Sequence, residues 1–104
     1  MSDGSVSVAK AREIPVGEFK PVLVKGKRLL VCHTASGFSV IDDTCTHDDG
    51  PLADGWLEGN EIECPRHGAR FDVATGKVLC LPAAAPILSY PVKVEGEDIK
   101  VNIG

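Results

Sequence analysis

The chain has 104 residues, of which 43% are hydrophobic and 25% charged, with a formal net charge of -4. These values fit one globular domain with a modest core. No basic run is present and no stretch approaches the roughly 20 apolar residues of a membrane span, so neither nucleic acid nor a membrane is an expected partner.

Taken in order, the elements are β throughout. Val6 and Val8 alternate, with Ala11 a further apolar position, and predict a first strand. Glu13 to Phe19 holds one helical turn at most, because Pro15 and Gly17 interrupt it. Val22-Leu23-Val24, a turn at Gly26, and Arg28 to Thr34 read as a hairpin. Gly37 turns the chain into Phe38-Ser39-Val40-Ile41. Glu61-Ile62-Glu63 alternates and runs directly into Cys64. Ala69 to Asp72 and Lys77 to Leu81 flank a turn at Ala74-Thr75-Gly76. Tyr90 to Val94 and Ile99 to Ile103 flank Glu95-Gly96-Glu97-Asp98, a hairpin signal. No segment sustains a helical period, so the pattern predicts a small all-β sandwich or barrel.

Two short segments carry the chemistry. Cys45-Thr46-His47 and Cys64-Pro65-Arg66-His67 each offer one thiolate and one imidazole, and glycines follow them at Gly50, Gly55 and Gly68. In a Rieske centre two Cys hold one iron of a [2Fe–2S] cluster and two His hold the other. Two ferric irons, two sulfides and two thiolates sum to zero charge. The reduced form is therefore less negative than that of an all-cysteine cluster, which raises its potential. Glycines let backbone N–H groups approach the sulfides. The outer nitrogens of His47 and His67 offer a path for the electron. Two Cys and two His also satisfy a tetrahedral zinc site, although zinc fingers usually pair Cys with Cys and His with His.

The N-terminal residues Met1-Ser2-Asp3-Gly4-Ser5 show no apolar run behind a positive segment, so a cytoplasmic protein is expected. In that reducing compartment the remaining cysteines, Cys32 and Cys80, are expected to be buried free thiols rather than a disulfide. His33 is expected at the surface or in packing, not as a ligand. Trp56 is expected to pack one part of the fold against another. Asp42, Asp43, Asp48 and Asp49 bracket the first ligand pair and read either as a solvated acidic loop or as charges that steer a basic partner. The Pro82 to Pro86 stretch reads either as a shield over the site or as a rigid connection.

At these residues the chain resembles the Rieske family, and within it the soluble ferredoxins of bacterial aromatic-ring-hydroxylating dioxygenases, such as the biphenyl and carbazole systems. The resemblance spans nearly the whole chain. It includes both ligand pairs, Gly68-Ala69-Arg70-Phe71-Asp72, Thr75-Gly76 and the Pro82 to Pro86 loop. It implies a three-layer β-sandwich with a small cluster-binding lobe. A single domain over 1–104 would divide into a base at about 1–41 and 83–104 and a lobe at about 42–82. It implies Cys45, His47, Cys64 and His67 as ligands of one [2Fe–2S] cluster. It further implies a monomeric electron carrier, not an enzyme alone, between an NAD(P)H-dependent flavoprotein reductase and a terminal oxygenase. The alternatives are a small Rieske-like subunit of a nitrite-reductase-type complex and a zinc-stabilised interaction module.

Respiratory-chain Rieske proteins carry two further Cys in a disulfide between the ligand loops, and this chain has Gly50 and Arg66 there. They also carry a Ser and a Tyr whose hydroxyls bond to cluster and ligand sulfur, where this chain has Ala69 and Phe71. Loss of both donors disfavours the reduced state and implies a midpoint near roughly -150 mV, the low end of the Rieske range.

Overall fold

The computed structural model describes residues 5–44, 51–64, 68–80 and 86–103. Eleven strands occur there in the order β1 (Ser5–Lys10), β2 (Phe19–Val24), β3 (Lys27–Thr34), β4 (Gly37–Asp42), β5 (Trp56–Glu58), β6 (Glu61–Glu63), β7 (Arg70–Asp72), β8 (Val78–Cys80), β9 (Ser89–Tyr90), β10 (Val92–Glu95) and β11 (Asp98–Asn102). Two short 3-10 turns, Ala11–Glu13 and Leu52–Asp54, are the helical elements among the described residues. The strands form three antiparallel sheets, ordered β1-β11-β10, β2-β3-β4-β9 and β5-β6-β7-β8.

The sheet containing β3 has two buried faces. Leu29, Val31 and Val40 pack with Ile99 and Val101 on one side, in a cluster that also holds Ala9, Ile14 and Val24. Leu30, Cys32 and Ile41 pack on the other side with Leu52, Ile62, Cys64, Ala69, Phe71, Val73 and Ile87. This explains why Leu29-Leu30-Val31-Cys32 is apolar at consecutive positions: side chains alternate between faces, and each face meets a core. All four are fully buried. Each buried aliphatic side chain contributes roughly 1.5–3 kcal/mol relative to exposure, so this strand is a principal anchor of both clusters.

The third sheet is organised by one register row. Leu57, Ile62, Phe71 and Val78 stand opposite one another across β5 to β8. All four pack into the cluster that holds Cys64. The alternate positions Trp56, Glu63 and Arg70 form a second row.

Local departures from the expected strands have clear causes. Register shifts between Ser7 and Ala9 on β1, so the burial phase slips and Ala9 is buried while Val8 is only partly so. The helical turn falls at Ala11–Glu13, just ahead of the expected segment. β2 begins at Phe19 and tolerates Pro21 because it is an edge strand. The expected strand Tyr90 to Val94 divides at Pro91. Tyr90 pairs with Val40 in the middle sheet, and Val92 pairs with Val101 in the outer one. Proline lacks the N–H that would continue the first ladder, and its carbonyl instead accepts the Asn102 N–H at 3.1 Å.

Candidate metal centre

The β6–β7 hairpin positions Cys64. Glu63 pairs with Arg70 and Ile62 with Phe71. Beyond that ladder the Cys64 N–H donates to the Ala69 carbonyl at 2.8 Å, and the Gly68 N–H donates to the Cys64 carbonyl at 3.1 Å. Gly68 sits at φ +77, a left-handed conformation that a side chain disfavours. The two arms are thereby locked on either side of residues 65–67. Cys64 is a free cysteine with no exposed surface. Ala69 and Phe71 are equally buried in the same cluster, which lacks a hydroxyl at either position.

Backbone bonds also bracket residues 45–50. The Asp43 N–H donates to the Arg28 carbonyl on β3 at 3.0 Å. Its carboxylate Oδ1 accepts the Ala53 N–H at 2.8 Å, across the segment. Asp42 donates its N–H to the Leu88 carbonyl at 3.0 Å. Leu52, directly after the segment, is fully buried.

A third bracket surrounds residues 81–85. Asp72 Oδ1 accepts the N–H groups of Ala74 and Thr75 at 2.8 and 3.1 Å, shaping the expected turn at Ala74-Thr75-Gly76. The Ile87 N–H then donates to the Gly76 carbonyl at 2.9 Å. Leu52, Cys64 and Ile87, which flank the three segments, belong to one buried cluster.

Of the expected ligands, Cys64 lies among the described residues, whereas Cys45, His47 and His67 lie outside them. Among the described residues no group of three or more metal-capable side chains occurs. The donor that is described fits an iron–sulfur centre: a buried sulfur without a disulfide partner, at the neck of a hydrogen-bonded hairpin, in apolar surroundings. Asp48, Asp49 and Pro82 also lie outside the described residues, and Pro86 is exposed.

Cys32 is a buried free thiol. Burial, and secondarily the charge of Asp43, push its pKa up to about 12, which keeps it protonated and a poor metal donor. The backbone of Cys80 ends β8, while its side chain lies outside the described part. His33 stacks on Phe38 at 3.9 Å between ring centroids, and its Nδ1 lies 2.6 Å from the Ile14 carbonyl. Its role is packing. Trp56 corrects an expectation: it is 48% exposed rather than packed between parts of the fold. The strand period is the reason, because Leu57 faces the core and turns Trp56 outward.

The Asp42 and Asp43 pair also differs from a freely solvated acidic loop. Asp43 is 5% exposed and bonded to Ala53, and Asp42 is partly buried and bonded to Tyr90. Sequence reasoning missed the Asp43 bond. An Asp at the edge of a turn-rich segment is a known backbone N–H acceptor, and that signal was present.

Residues 4–91 match the family model for the Rieske [2Fe-2S] domain. The chain belongs to this family. It is 40% identical over 103 residues to the ferredoxin component of the naphthalene 1,2-dioxygenase system of Pseudomonas aeruginosa, covering 99% of each chain. The ferredoxin of carbazole 1,9a-dioxygenase from Nocardioides aromaticivorans superposes with a TM-score of 0.91 at 32% identity, covering 96% of this chain and 98% of that one. A chain from a complex of reduced oxygenase and oxidised ferredoxin in carbazole 1,9a-dioxygenase gives a TM-score of 0.90 at 31% identity, covering 97% and 94%. The Rieske ferredoxin fold is therefore the fold of this chain.

Proposed function

We propose that Cys45, His47, Cys64 and His67 hold one Rieske-type [2Fe–2S] cluster, and that the protein is the ferredoxin component of an aromatic-ring dioxygenase system. It is an electron carrier and not itself the oxygenase. Electrons would come singly from an NAD(P)H-dependent flavoprotein reductase and pass to a terminal Rieske non-haem iron oxygenase. The observation that carries this reading is the end-to-end match to a dioxygenase ferredoxin. The locked hairpin at Cys64 supports the ligand assignment.

When bound, the cluster takes up and returns one electron. The protein's own contribution is to fix and shield it. The Gly68 and Ala69 bonds hold the Cys64 neck, and Leu52, Phe71 and Ile87, buried in one cluster with Cys64, would keep water from a group held there. A rigid site changes little between oxidation states, and its apolar lining holds the potential low. The segment at about 42–82 would form the cluster-binding lobe and the remainder a base. A monomer in the cytoplasm suits a carrier that must reach two partners. No helix among the described residues is long and apolar enough to cross a membrane.

Purified protein should support NAD(P)H-dependent turnover when mixed with the reductase and oxygenase of a naphthalene-type system. Turnover should vanish when the chain is omitted or carries Cys64→Ser. Protein that holds its cluster yet is neither reduced by such a reductase nor oxidised by such an oxygenase would overturn the role. Stable isolation only with a large reductase subunit would do the same.

A further inference from the structure

We propose that Asp43 is a positioning residue for the cluster: its carboxylate, by accepting the Ala53 N–H, clamps together the two ends of the segment that carries Cys45 and His47. The inference rests on the ligand reading above. Three observations carry it. Asp43 is 5% exposed, and a carboxylate so placed is costly unless hydrogen-bonded. Its backbone N–H is fixed to the Arg28 carbonyl at 3.0 Å, so one end of the clamp belongs to the middle sheet. Its Oδ1 takes the Ala53 N–H at 2.8 Å, and the neighbouring Leu52 is packed in the cluster that contains Cys64. The carboxylate thus joins the sheet before the first ligand pair to the core beside the second.

A solvated steering charge would not need this burial or this partner. Asp43 lies at the edge of the core, near enough for its charge to act on Cys32, so its loss is read against a thermal melt that reports any change of packing. What it removes is the closure of the ligand segment. Without the acceptor, the ends of that segment lose their direct hydrogen bond and are held by the packing of Leu52 in the cluster with Cys32 and Ile41 alone, so part of the entropic cost of holding them together returns. Groups that hold metal ligands in place typically change metal affinity by about 10- to 100-fold when removed.

The test compares wild type, Asp43→Ala and Asp43→Asn as purified holoproteins. Each is challenged with an iron chelator while the visible iron–sulfur absorbance is followed. Far-ultraviolet circular dichroism and a thermal melt run in parallel. Asp43→Ala should lose its cluster about tenfold faster than wild type with its strand signal intact. Asp43→Asn keeps an acceptor oxygen and should stay within about twofold of wild type. Equal loss rates for Asp43→Ala and wild type would overturn the clamp. So would Asp43→Asn decaying as fast as Asp43→Ala, because the acceptor would then not be what matters.

Should Asp43→Ala fail to fold, hydrogen exchange on wild-type holoprotein gives an independent readout. The Ala53 amide should exchange on the order of a hundredfold more slowly than in an unstructured chain, and exchange at the unstructured rate would overturn the proposal. A wild-type protein that binds no iron is a separate failure, since it removes the ligand reading itself.

Discussion

The Tyr90 hydroxyl donates a hydrogen bond to the Asp42 carboxylate at 2.5 Å. It joins the end of β4, just ahead of the proposed ligands Cys45 and His47, to β9, just after the bracketed 81–85 segment. Burial first, and the bond and charge of Asp42 second, push the Tyr90 pKa up to about 12 from 10.0. The neutral phenol is therefore favoured in the folded state. Its contribution to stability is complete below pH 10 and is lost as pH rises towards about 12. Tyr90→Phe should cost about 1 kcal/mol at neutral pH in urea unfolding. It should also flatten the decline in stability across that alkaline window. An unchanged decline would assign the pH dependence to other groups.

Gly76 fixes the opposite side of the same region. It sits at φ +80, and a Cβ built there would lie 2.0 Å from the Ile87 carbonyl oxygen. That oxygen belongs to backbone, so it cannot rotate away. Gly76→Ala should destabilise by at least about 2 kcal/mol, combining left-handed strain with the clash. The loss should appear as a lower urea midpoint at unchanged slope.

Ala69 and Phe71 set the redox expectation. Both are fully buried beside Cys64 and neither offers a hydroxyl. Ala69→Ser adds one donor with little extra volume. A bond stronger by about 1 kcal/mol in the reduced state would raise a one-electron midpoint by roughly 40 mV. Phe71→Tyr should shift the midpoint in the same direction and lower stability, because its extra oxygen enters a filled core. Voltammetry of the three proteins checks the order.

Arg70 ties the outer side of the third sheet together. Its guanidinium lies 2.6 Å from Glu63, 3.2 Å from Glu61 and 3.5 Å from Glu58. Bonds to Glu61 and Glu63 hold its pKa above the usual arginine value despite partial desolvation. Arg70→Met leaves three carboxylates facing one another. Its Tm should fall at low ionic strength, and the loss should shrink near 1 M salt, where screening acts within about 3 Å. A salt-independent loss would mean that packing of the Arg70 stem dominates.

The fold was largely legible because its signals are local. Gly26 and Lys25 take positive φ in the first hairpin where the sequence places a turn, and Glu61-Ile62-Glu63 alternates as a half-buried strand should. The consecutive apolar residues Leu29 to Cys32 do not by themselves say which residues cover the two faces of that strand. That covering is long-range: Leu29 shares a buried cluster with Ile99, and Leu30 shares the other with Ile62. The sheet switch at Pro91 was hidden because Tyr90 and Val92 fit one strand as well as two. Trp56 was misjudged because a large aromatic suggests burial, while the phase set by Leu57 turns it outward. In the candidate centre, residue types and spacing nominated four donors, of which Cys64 lies among the described residues. Asp43 carried the signal of a backbone N–H acceptor, but its partner Ala53 was not visible, because that pairing depends on the chain returning after residues 45–50.

The most direct test is an anaerobic redox titration of the purified protein monitored by electron paramagnetic resonance. A Rieske-type signal appearing on one-electron reduction, with a midpoint near roughly -150 mV, is the expected result. Zinc in place of iron with no signal would contradict the electron-carrier account. A Rieske signal with a midpoint well above zero would keep the cluster but contradict the role assigned to Ala69 and Phe71.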